Sequence, residues 1–389
     1  MSRKLTLIAL SLLVVLAGCQ KEDQVAIQLR GDYLPATADG VFFAVRASGA
    51  WTLSIEFPVG SEPWATVKPE SGTGSINNAI LSFDANPHKE NRGATIVLTP
   101  ASGAPDRVSI TQAGVADGVE GHYGYDVAPM GWLELPACVE GDGREVLVHS
   151  MDGGKYMGKD KSGTRNWSCY WDYDDHMSLW VAYPLNNSLK GSGTGRTEAW
   201  GFDQLLPTDI QPDLRNGSYG GGWTRGHQIP SADKQRNYAE NASTYVSTNM
   251  TPQQYDFNGK IWANLEGKVR NYASMADTLY VVTGALFDKS TNVSGISSGF
   301  RVKVPTHYFK ALLYKGTSAY AKDTDGYLMA GFLLPHDKSI AGGNCLSYRM
   351  SIDELEAQTG IDFFPNLEKR SPELAQQLEA AEPNALFWN

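Results

Sequence analysis

The sequence predicts an α+β protein in which a β-sandwich precedes a larger domain with a central antiparallel sheet. Short alternating apolar runs separated by Gly, Pro and Asn fill the first third of the chain. Alternating runs return from residue 146 onward, and Trp262, Leu265 and Val269 form one stripe of a helix. With 389 residues, 42% of them hydrophobic, the chain is long enough for two or three domains with cores.

The first residues of the chain have the pattern of an export signal. Two basic residues precede an apolar run that is short for a membrane span, and small residues precede Cys19. The segment Leu-Ala-Gly-Cys at 16–19 resembles a bacterial lipobox, which implies a lipoprotein signal peptide at 1–18 and a lipid anchor on Cys19. An ordinary cleaved secretion signal is the alternative. The Lys-Glu-Asp run at 21–23 resembles signals for surface export, so we expect an outer membrane lipoprotein at the cell surface or facing the periplasm.

The charge distribution limits where a polyanion can bind. The chain has 33 Lys and Arg against 43 Asp and Glu, a formal net charge of -10, so it is a poor general binder of nucleic acid. Residues 191–310 differ, with 12 Lys and Arg against 10 Asp and Glu. Any nucleic-acid site is therefore expected as a local basic patch in this part of the chain.

The remaining cysteines are Cys138, Cys169 and Cys345. In an exported protein this odd number is consistent with one disulfide and one buried thiol, and the sequence does not choose the pair. Their spacing lacks the paired ligands of a zinc site.

Residues 24–115 form the first predicted domain. Its clearest strands are 42–45, 51–55, 79–83, 94–98 and 108–111, a spacing typical of an antiparallel sandwich. The motifs ASGAWTLSIE, EPWATVKPESGTGS, NRGATIVLT and VSITQAG resemble the BACON family, an immunoglobulin-like module. That resemblance implies a possible glycan ligand, stacked on Trp51 and Trp64. The alternative is a spacer in which both tryptophans are core residues. Residues 116–124 are the predicted linker to the second domain.

Residues 125–389 form the second predicted domain. Its strands are expected at 146–149, 166–171, 179–184, 281–287, 304–310 and 331–335, and Ser351 with Glu354 predicts a capping box that opens a late helix. A glycine-rich loop at 191–200 carries Arg196. The histidines outside the central stretch, among them His149, His307 and His336, have no partner pattern and are interpreted as structural.

The chemistry is concentrated in residues 224–270. A loop with Arg225 and His227 is followed by a β-like run at 244–247 that leads to Asn249. A helix is predicted to open at Asn258 and to carry Glu266 and Arg270. The order is strand, strand, helix, with one candidate base, one neutral oxygen ligand and several cations.

The motifs RGHQIPSAD, TNMTPQ, and FN followed by W..LE...R resemble the DNA/RNA non-specific endonuclease family of the ββα-metal type. The likeness extends over about 240 residues when the flanking strands are included. The family's usual Asp before Arg-Gly-His is Thr224 here, which puts one local hydrogen bond in question. The resemblance implies a mixed α/β nuclease domain that hydrolyses DNA and RNA to 5'-phosphate products.

The residue types fit that chemistry. His227, neutral near pH 7, is the expected general base, and Asn249 is expected to orient His227 or the attacking water. Asn258 is the expected protein ligand of Mg²⁺, with Mn²⁺ as the alternative, because an amide oxygen suits an ion that keeps most of its waters. Glu266 lies two turns further along the helix and is expected to meet that water shell.

Three arginines complete the predicted site. Arg225 and Arg196 are candidates for clamping the phosphate and its transition-state charge. Arg270 is expected to pair with Glu266, four residues earlier on the helix. No motif for reading bases accompanies them, so weak sequence selectivity is expected. The alternative function is a glycan-binding surface lipoprotein with a silent nuclease-like domain.

Overall fold

The computed structural model describes residues 25–29, 33–34, 39–88, 90–112, 132–137, 143–152, 155–156, 164–287, 293–295 and 301–389. The predicted signal peptide, Cys19, the predicted linker and Cys138 lie outside these residues. No helix in the described ranges combines the length and the apolar character needed to cross a membrane.

The N-terminal domain is a β-sandwich, as predicted. A sheet of order β1-β3-β7-β5 faces a sheet of order β2-β9-β8-β4-β6. All five predicted strands are present, and each is longer than its apolar run because the ends also pair. The strands are β1 (Ala26–Gln28), β2 (Tyr33–Leu34), β3 (Asp39–Arg46), β4 (Ala50–Glu56), β5 (Ala65–Lys68), β6 (Ser71–Thr73), β7 (Ile76–Phe83), β8 (Arg92–Pro100) and β9 (Asp106–Gln112).

Both tryptophans of the sandwich are core residues. Trp51 is 2% exposed and Trp64 is 5% exposed. The Trp51 indole N–H donates to the Gly74 carbonyl at 2.8 Å, and the Arg92 guanidinium lies 4.6 Å from the Trp64 ring centre. These rings have no free face for a sugar, so the stacking role considered for them is wrong and the core interpretation is confirmed.

The C-terminal domain is built on an eight-stranded sheet with the order β11-β10-β12-β13-β16-β19-β20-β21. Its neighbouring strands are all antiparallel, which confirms the predicted α+β class. Two small sheets, β14-β15 and β17-β18, lie outside it. The strands are β10 (Arg144–Asp152), β11 (Lys155–Tyr156), β12 (Thr164–Asp172), β13 (Met177–Leu185), β14 (Thr224–His227), β15 (Met250–Gln253), β16 (Thr278–Leu286), β17 (Val293–Gly295), β18 (Arg301–Lys303), β19 (His307–Lys315), β20 (Tyr327–Pro335) and β21 (Arg349–Met350).

Helices cover both faces of this sheet, which is why its central strands are buried along almost their whole length. The helices are α1 (Asn187–Lys190), α2 (Tyr238–Ser243), α3 (Tyr255–Phe257), a π-helical turn (Asn258–Trp262), α4 (Ala263–Ser274), α5 (Ile352–Thr359), α6 (Pro365–Arg370) and α7 (Pro372–Ala380). Trp262, Leu265 and Val269 pack against one face. Helices α5 to α7 pack against the other, and α5 opens with the predicted capping box of Ser351 and Glu354.

The strand, strand, helix frame has different bounds from those predicted. Residues 244–247 are not a strand, because Thr244 ends helix α2 and a 3-10 turn begins at Ser247. The first strand of the frame is β14, which itself carries Arg225 and His227, and it pairs antiparallel with β15. The helical segment begins at Tyr255, one turn before the predicted start.

The two domains touch near the glycine-rich loop. Ala44 of β3 is buried in a small cluster with Ala199, Tyr238 and Ala242, and the Arg46 guanidinium lies 5.6 Å from the Tyr238 ring centre. Within the described ranges Cys169 and Cys345 are free and buried, so these two do not form the predicted disulfide with each other.

Candidate active site

A cleft of about 400 Å³ gathers most of the predicted site residues. It lies where the β14-β15 pair, the glycine-rich loop and the start of the long helical segment meet. Five predicted residues line it: Arg196, Arg225, His227, Asn258 and Glu266. Asn249 and Arg270 do not line it.

His227 is held at the inner end of β14. Gly226 lies against the Gln253 side chain so closely that a Cβ would be 2.4 Å from its Oε1, so a larger residue would require the buried Gln253 side chain to shift. The His227 ring makes edge contacts with Trp200 and Tyr245 at centroid distances of 5.5 and 4.9 Å. These contacts fix the ring plane inside the cleft.

The electrostatics of the cleft keep His227 neutral. Burial, together with the positive charges of Arg196 and Arg225, lowers the pKa of His227 to about 3. Its Nε2 has no hydrogen-bond partner among the described residues. An unpaired buried polar atom is costly for stability and is a frequent mark of a functional site. A neutral imidazole with a free nitrogen can accept a proton.

The two arginines are positioned by aromatic rings and leave donors free. The Arg225 guanidinium stacks 3.6 Å from the Trp200 ring centre and donates one N–H to the Leu214 carbonyl at 2.8 Å. Arg196 lies 5.5 Å from the ring centre of Tyr245, which also contacts the His227 ring. Both arginines line the cleft together with His227.

Glu198 and Trp200 are site residues that the sequence analysis missed. Glu198 lines the cleft, accepts from Arg196 Nε at 2.7 Å and accepts from the Trp200 indole N–H at 3.0 Å. Its φ of 51° is uncommon for a residue other than glycine. The only sequence signal for it was its position two residues after Arg196.

Thr224 replaces the usual family aspartate and supplies a hydrogen bond of its own. Its Oγ1 donates to the Gln253 carbonyl at 2.9 Å and accepts from Asn258 Nδ2 at 3.2 Å. Because Nδ2 is held by Thr224, the amide oxygen of Asn258 is the atom left for a ligand in the cleft.

A π-helical turn aligns Asn258 with Glu266. In a regular α-helix two residues eight positions apart point about 80° away from each other. The chain from Asn258 to Trp262 instead forms a wider turn, in which the Ala263 N–H bonds to the Asn258 carbonyl. Such turns are frequent at functional sites, and this one reduces the angle so that both side chains reach the same cleft.

Asn249 and Arg270 lie behind the cleft wall. The Asn249 side chain is fully buried, with Oδ1 accepting from the Ile229 N–H at 2.9 Å and Nδ2 donating to the Ile229 and Thr244 carbonyls. It therefore braces the backbone two residues after His227, and the structure gives it no direct contact with the His227 ring. Arg270 Nη1 pairs with Asp233 Oδ1 at 2.9 Å, and the predicted pairing with Glu266 is not among the ion pairs of the described chain.

Buried charged residues next to the cleft act electrostatically on Glu266. Asp233 is fully buried and also accepts from the Tyr183 hydroxyl at 2.7 Å. Lys310 is fully buried on β19 and donates to Thr283 Oγ1 at 3.0 Å. Burial raises the pKa of Glu266, while the positive charge of Lys310 acts in the opposite direction. Sequence reasoning missed Asp233 and Lys310 because nothing local marks them as buried.

The fold and the cleft define the class of the protein. An antiparallel strand pair leads into a helix, with a neutral histidine on the first strand, an asparagine and a glutamate on the helical segment, and two arginines in the same cleft. This is the arrangement of a ββα-type nuclease.

Comparison with known proteins gives the particular family. The family model described as DNA/RNA non-specific endonuclease matches residues 160–370, more than half of the chain, and the chain belongs to this family. The model described as Viral BACON domain matches residues 32–115. Membership places the chain among the nucleases, which are hydrolases of nucleic acids.

Several nucleases match about half of the chain. The chain is 31% identical over 210 residues to a nuclease of Nostoc sp., a match that covers 53% of this chain and 72% of the relative. It is 26% identical over 235 residues to the mitochondrial nuclease EXOG of Homo sapiens, covering 58% of this chain and 63% of that protein. A chain in the crystal structure of the EndoG/EndoGI complex matches with a TM-score of 0.43 and 20% identity, over 54% of this chain and 87% of that one.

Proposed function

We propose that this protein is a metal-dependent endonuclease that hydrolyses DNA and RNA with little sequence preference, using His227 as the general base. One observation carries the proposal. A neutral histidine, a free amide oxygen, a carboxylate and two arginines, drawn from three separate segments, converge on one cleft. These are the groups that phosphodiester hydrolysis requires.

Each protein group has a role in the proposed reaction. His227 takes a proton from the attacking water, whose oxygen then bonds to phosphorus. Arg225 and Arg196 donate to the phosphate oxygens, on which negative charge develops. The bond from phosphorus to the 3' oxygen breaks, the 3' oxygen takes a proton from solvent water, and the phosphate stays on the 5' oxygen of the next nucleotide. His227 then releases its proton to solvent.

The residues present fit a divalent metal. The free oxygen of Asn258 is a hard ligand, and the nearby Glu266 carboxylate can accept from a hydrated ion. In the described ranges no three His, Cys, Asp or Glu side chains come together as a metal site, so this amide is the candidate ligand. Mg²⁺ suits such a site, with Mn²⁺ as the alternative. When bound, the ion neutralises charge on the phosphate and on the departing oxygen.

No role in the proposed reaction depends on the base or the sugar. Trp262, Leu265 and Val269 are buried in the core and cannot stack on bases. The cleft contacts proposed above all involve phosphate oxygens, which carry no sequence information and are the same in DNA and RNA. Both polymers are therefore the proposed substrates.

Hydrolysis of plasmid DNA and of a structured RNA by the chain without residues 1–19 tests the proposal. We expect both polymers to be cut with Mg²⁺ and neither with EDTA, because the ion is needed to neutralise the phosphate. The ends of the products should carry 5'-phosphates, which a 5'-phosphate-dependent exonuclease detects. Cutting that persists in EDTA, or intact folded protein that cuts neither polymer, would contradict the assignment.

Removing the Thr224 hydroxyl should weaken catalysis without removing any predicted catalytic group. In Thr224→Val the Asn258 amide loses the acceptor that fixes its orientation, a hydrogen bond worth about 1 kcal/mol. We expect kcat/KM to fall about fivefold to tenfold, since about 1.4 kcal/mol corresponds to tenfold. Thr224→Ser keeps the hydroxyl and should stay near the wild-type rate. Equal rates for the valine and serine variants would show that the bond does not orient Asn258.

We further propose that the protein is exported and attached to the outer membrane through a lipid on Cys19. The lipobox-like segment at 16–19 and the acidic residues that follow it support this location. Fractionation of cells that express the wild-type chain or Cys19→Ser tests it. The wild-type chain should partition with membranes and the variant should not, and identical partitioning would count against lipidation.

A further inference from the structure

A second concave surface lies on the outer face of helix α4, away from the sheet. We name it the outer groove; it has a volume of about 480 Å³. Asn264, Gly267, Lys268 and Asn271 of the helix form its floor, and Asn344 and Cys345 form its far wall. No aspartate or glutamate of the described residues lines it, although the protein as a whole is acidic.

Gly267 leaves the middle of the groove open. A Cβ at this position would have only one neighbour within 4 Å, Arg270 Nη2 at 3.9 Å, which is an ordinary contact. Packing and backbone geometry therefore do not require glycine here. Glycine inside a helix destabilises the helix relative to alanine, and it permits close approach of another molecule to the backbone.

Two cations border the groove. Lys268 makes no ion pair with any described residue, and its charge acts on the neighbouring Cys345 thiol. Arg270 uses Nη1 for Asp233 and also lines the groove. The side-chain amides of Asn264 and Asn271 add neutral donors. A concave surface with unpaired positive charge, amide donors and no carboxylate is complementary to phosphate.

The groove and the catalytic cleft are lined by neighbouring residues of one helix. Glu266 lines the cleft, and Gly267, Lys268 and Arg270 line the groove. An α-helix with side chains is about 10–12 Å wide. A strand that advances about 3.4 Å per nucleotide crosses that width in about three nucleotides.

We propose that the outer groove is a phosphate-binding subsite for the backbone of the polynucleotide substrate, about three nucleotides from the cleaved bond, with Lys268 as its principal cation. The subsite rests on the proposed nuclease function. It binds the phosphodiester backbone of the strand whose scissile phosphate lies in the cleft. Gly267 lets that backbone pass close to the helix.

Neutralising Lys268 tests the subsite by binding, with hydrolysis prevented by EDTA. Fluorescence anisotropy of a labelled single strand of about 20 nucleotides should show about threefold to tenfold weaker binding to Lys268→Gln than to wild type, uniformly across sequences. The slope of log affinity against log salt should fall by about 0.7, the value for one contact to a single strand. Lys268→Arg should restore both the affinity and the salt slope of wild type. A dinucleotide, which is too short to reach the groove, should bind wild type and both variants equally.

Lys369→Gln is the matched control for charge. It makes the same change on helix α6, which packs on the opposite face of the sheet, and it should leave binding unchanged. Equal loss in this control would mean that net charge, and not a subsite, governs the effect.

Gly267→Ala separates a binding role from a structural one. The added methyl group favours the helix and meets no close neighbour, so the melting temperature should rise. The same methyl group occupies the groove, so binding of the strand should weaken. A variant that is more stable and binds as well as wild type would overturn the role of Gly267.

The outcomes distinguish the subsite from the proposed function. If Lys268→Gln binds the strand as well as wild type while wild type cuts DNA with Mg²⁺, the subsite is wrong and the nuclease stands. If binding depends on Lys268 but no polymer is cut, the subsite stands and the proposed hydrolysis fails. If wild type binds no strand, the subsite is wrong, and if it also cuts no polymer with Mg²⁺, both proposals fail.

Discussion

We expect His227→Ala to lower kcat for DNA and RNA by about 10²–10⁴-fold, the usual contribution of a general base. The physical reason is that the neutral His227 ring lines the cleft with two arginines and has a nitrogen without a partner among the described residues. Without it the attacking water has no acceptor for its proton. Initial rates on a defined oligonucleotide at saturating Mg²⁺ measure the change.

His227→Phe is the matched control for packing. Phenylalanine keeps a ring between Trp200 and Tyr245 but carries no nitrogen. It should be as inactive as alanine while unfolding closer to the wild-type temperature. Activity that returns with phenylalanine would show that His227 serves packing and not proton transfer.

The pH profile gives an independent check on this assignment. The pKa of His227 is lowered to about 3, so the group is already neutral at every pH well above that value. A bound cation lowers the pKa further, in the same direction. Between pH 5 and 8 the wild-type rate should therefore show no loss from protonation of His227. Any rise or fall of the rate with pH in that range is therefore expected to come from the titration of another group.

Asn258→Ala should reduce kcat/KM by about 10²-fold or more and raise the Mg²⁺ concentration needed for half-maximal rate. The Asn258 amide oxygen is the candidate protein ligand in the cleft, and charge neutralisation by a metal is worth several kcal/mol. At about 1.4 kcal/mol per factor of ten, that amounts to two or more orders of magnitude. Rates measured across a Mg²⁺ titration separate this loss from a general loss of activity.

Asn258→Asp tests whether the oxygen is what matters. An aspartate keeps an oxygen ligand and adds charge, so the Mg²⁺ dependence should remain at or below the wild-type concentration. A wild-type Mg²⁺ dependence in Asn258→Ala would mean that the ion is held elsewhere. Far-UV circular dichroism of both variants checks that the helical segment is intact.

The local pattern of the chain was enough to predict the sandwich and much of the catalytic frame. Strands such as β4 and β8 alternate over a few residues, and the stripe of Trp262, Leu265 and Val269 repeats along one helix. Such patterns can be seen in a short stretch of sequence, because each face of a strand or helix is turned either toward the core or toward solvent. The run at 244–247 was misread for the same reason, since its β-branched residues suit a strand but here follow a helix end.

Contacts between residues that are distant in the sequence could not be predicted from these local patterns. Arg270 was expected to pair with Glu266 on its own helix, yet it pairs with Asp233, 37 residues away. Nothing in the sequence marked Glu198 as a cleft residue. It lines the cleft because the glycine-rich loop and β14 contribute to the same cleft in the folded chain. Such partners are determined by how loops and helices pack in the folded chain. The spacing of residues in the sequence does not show this packing.

The sequence by itself determined which chemical groups the protein carries and in what order: a histidine after Arg-Gly, then an asparagine and a glutamate on one helical segment. Only the tertiary structure decided how they meet. The bond from Asn258 to Thr224 spans 34 residues and frees the amide oxygen, and the π-helical turn rotates Asn258 toward Glu266. The physical reason is that residue identity is local, whereas the direction of a side chain depends on backbone geometry and on partners that packing brings from elsewhere in the chain.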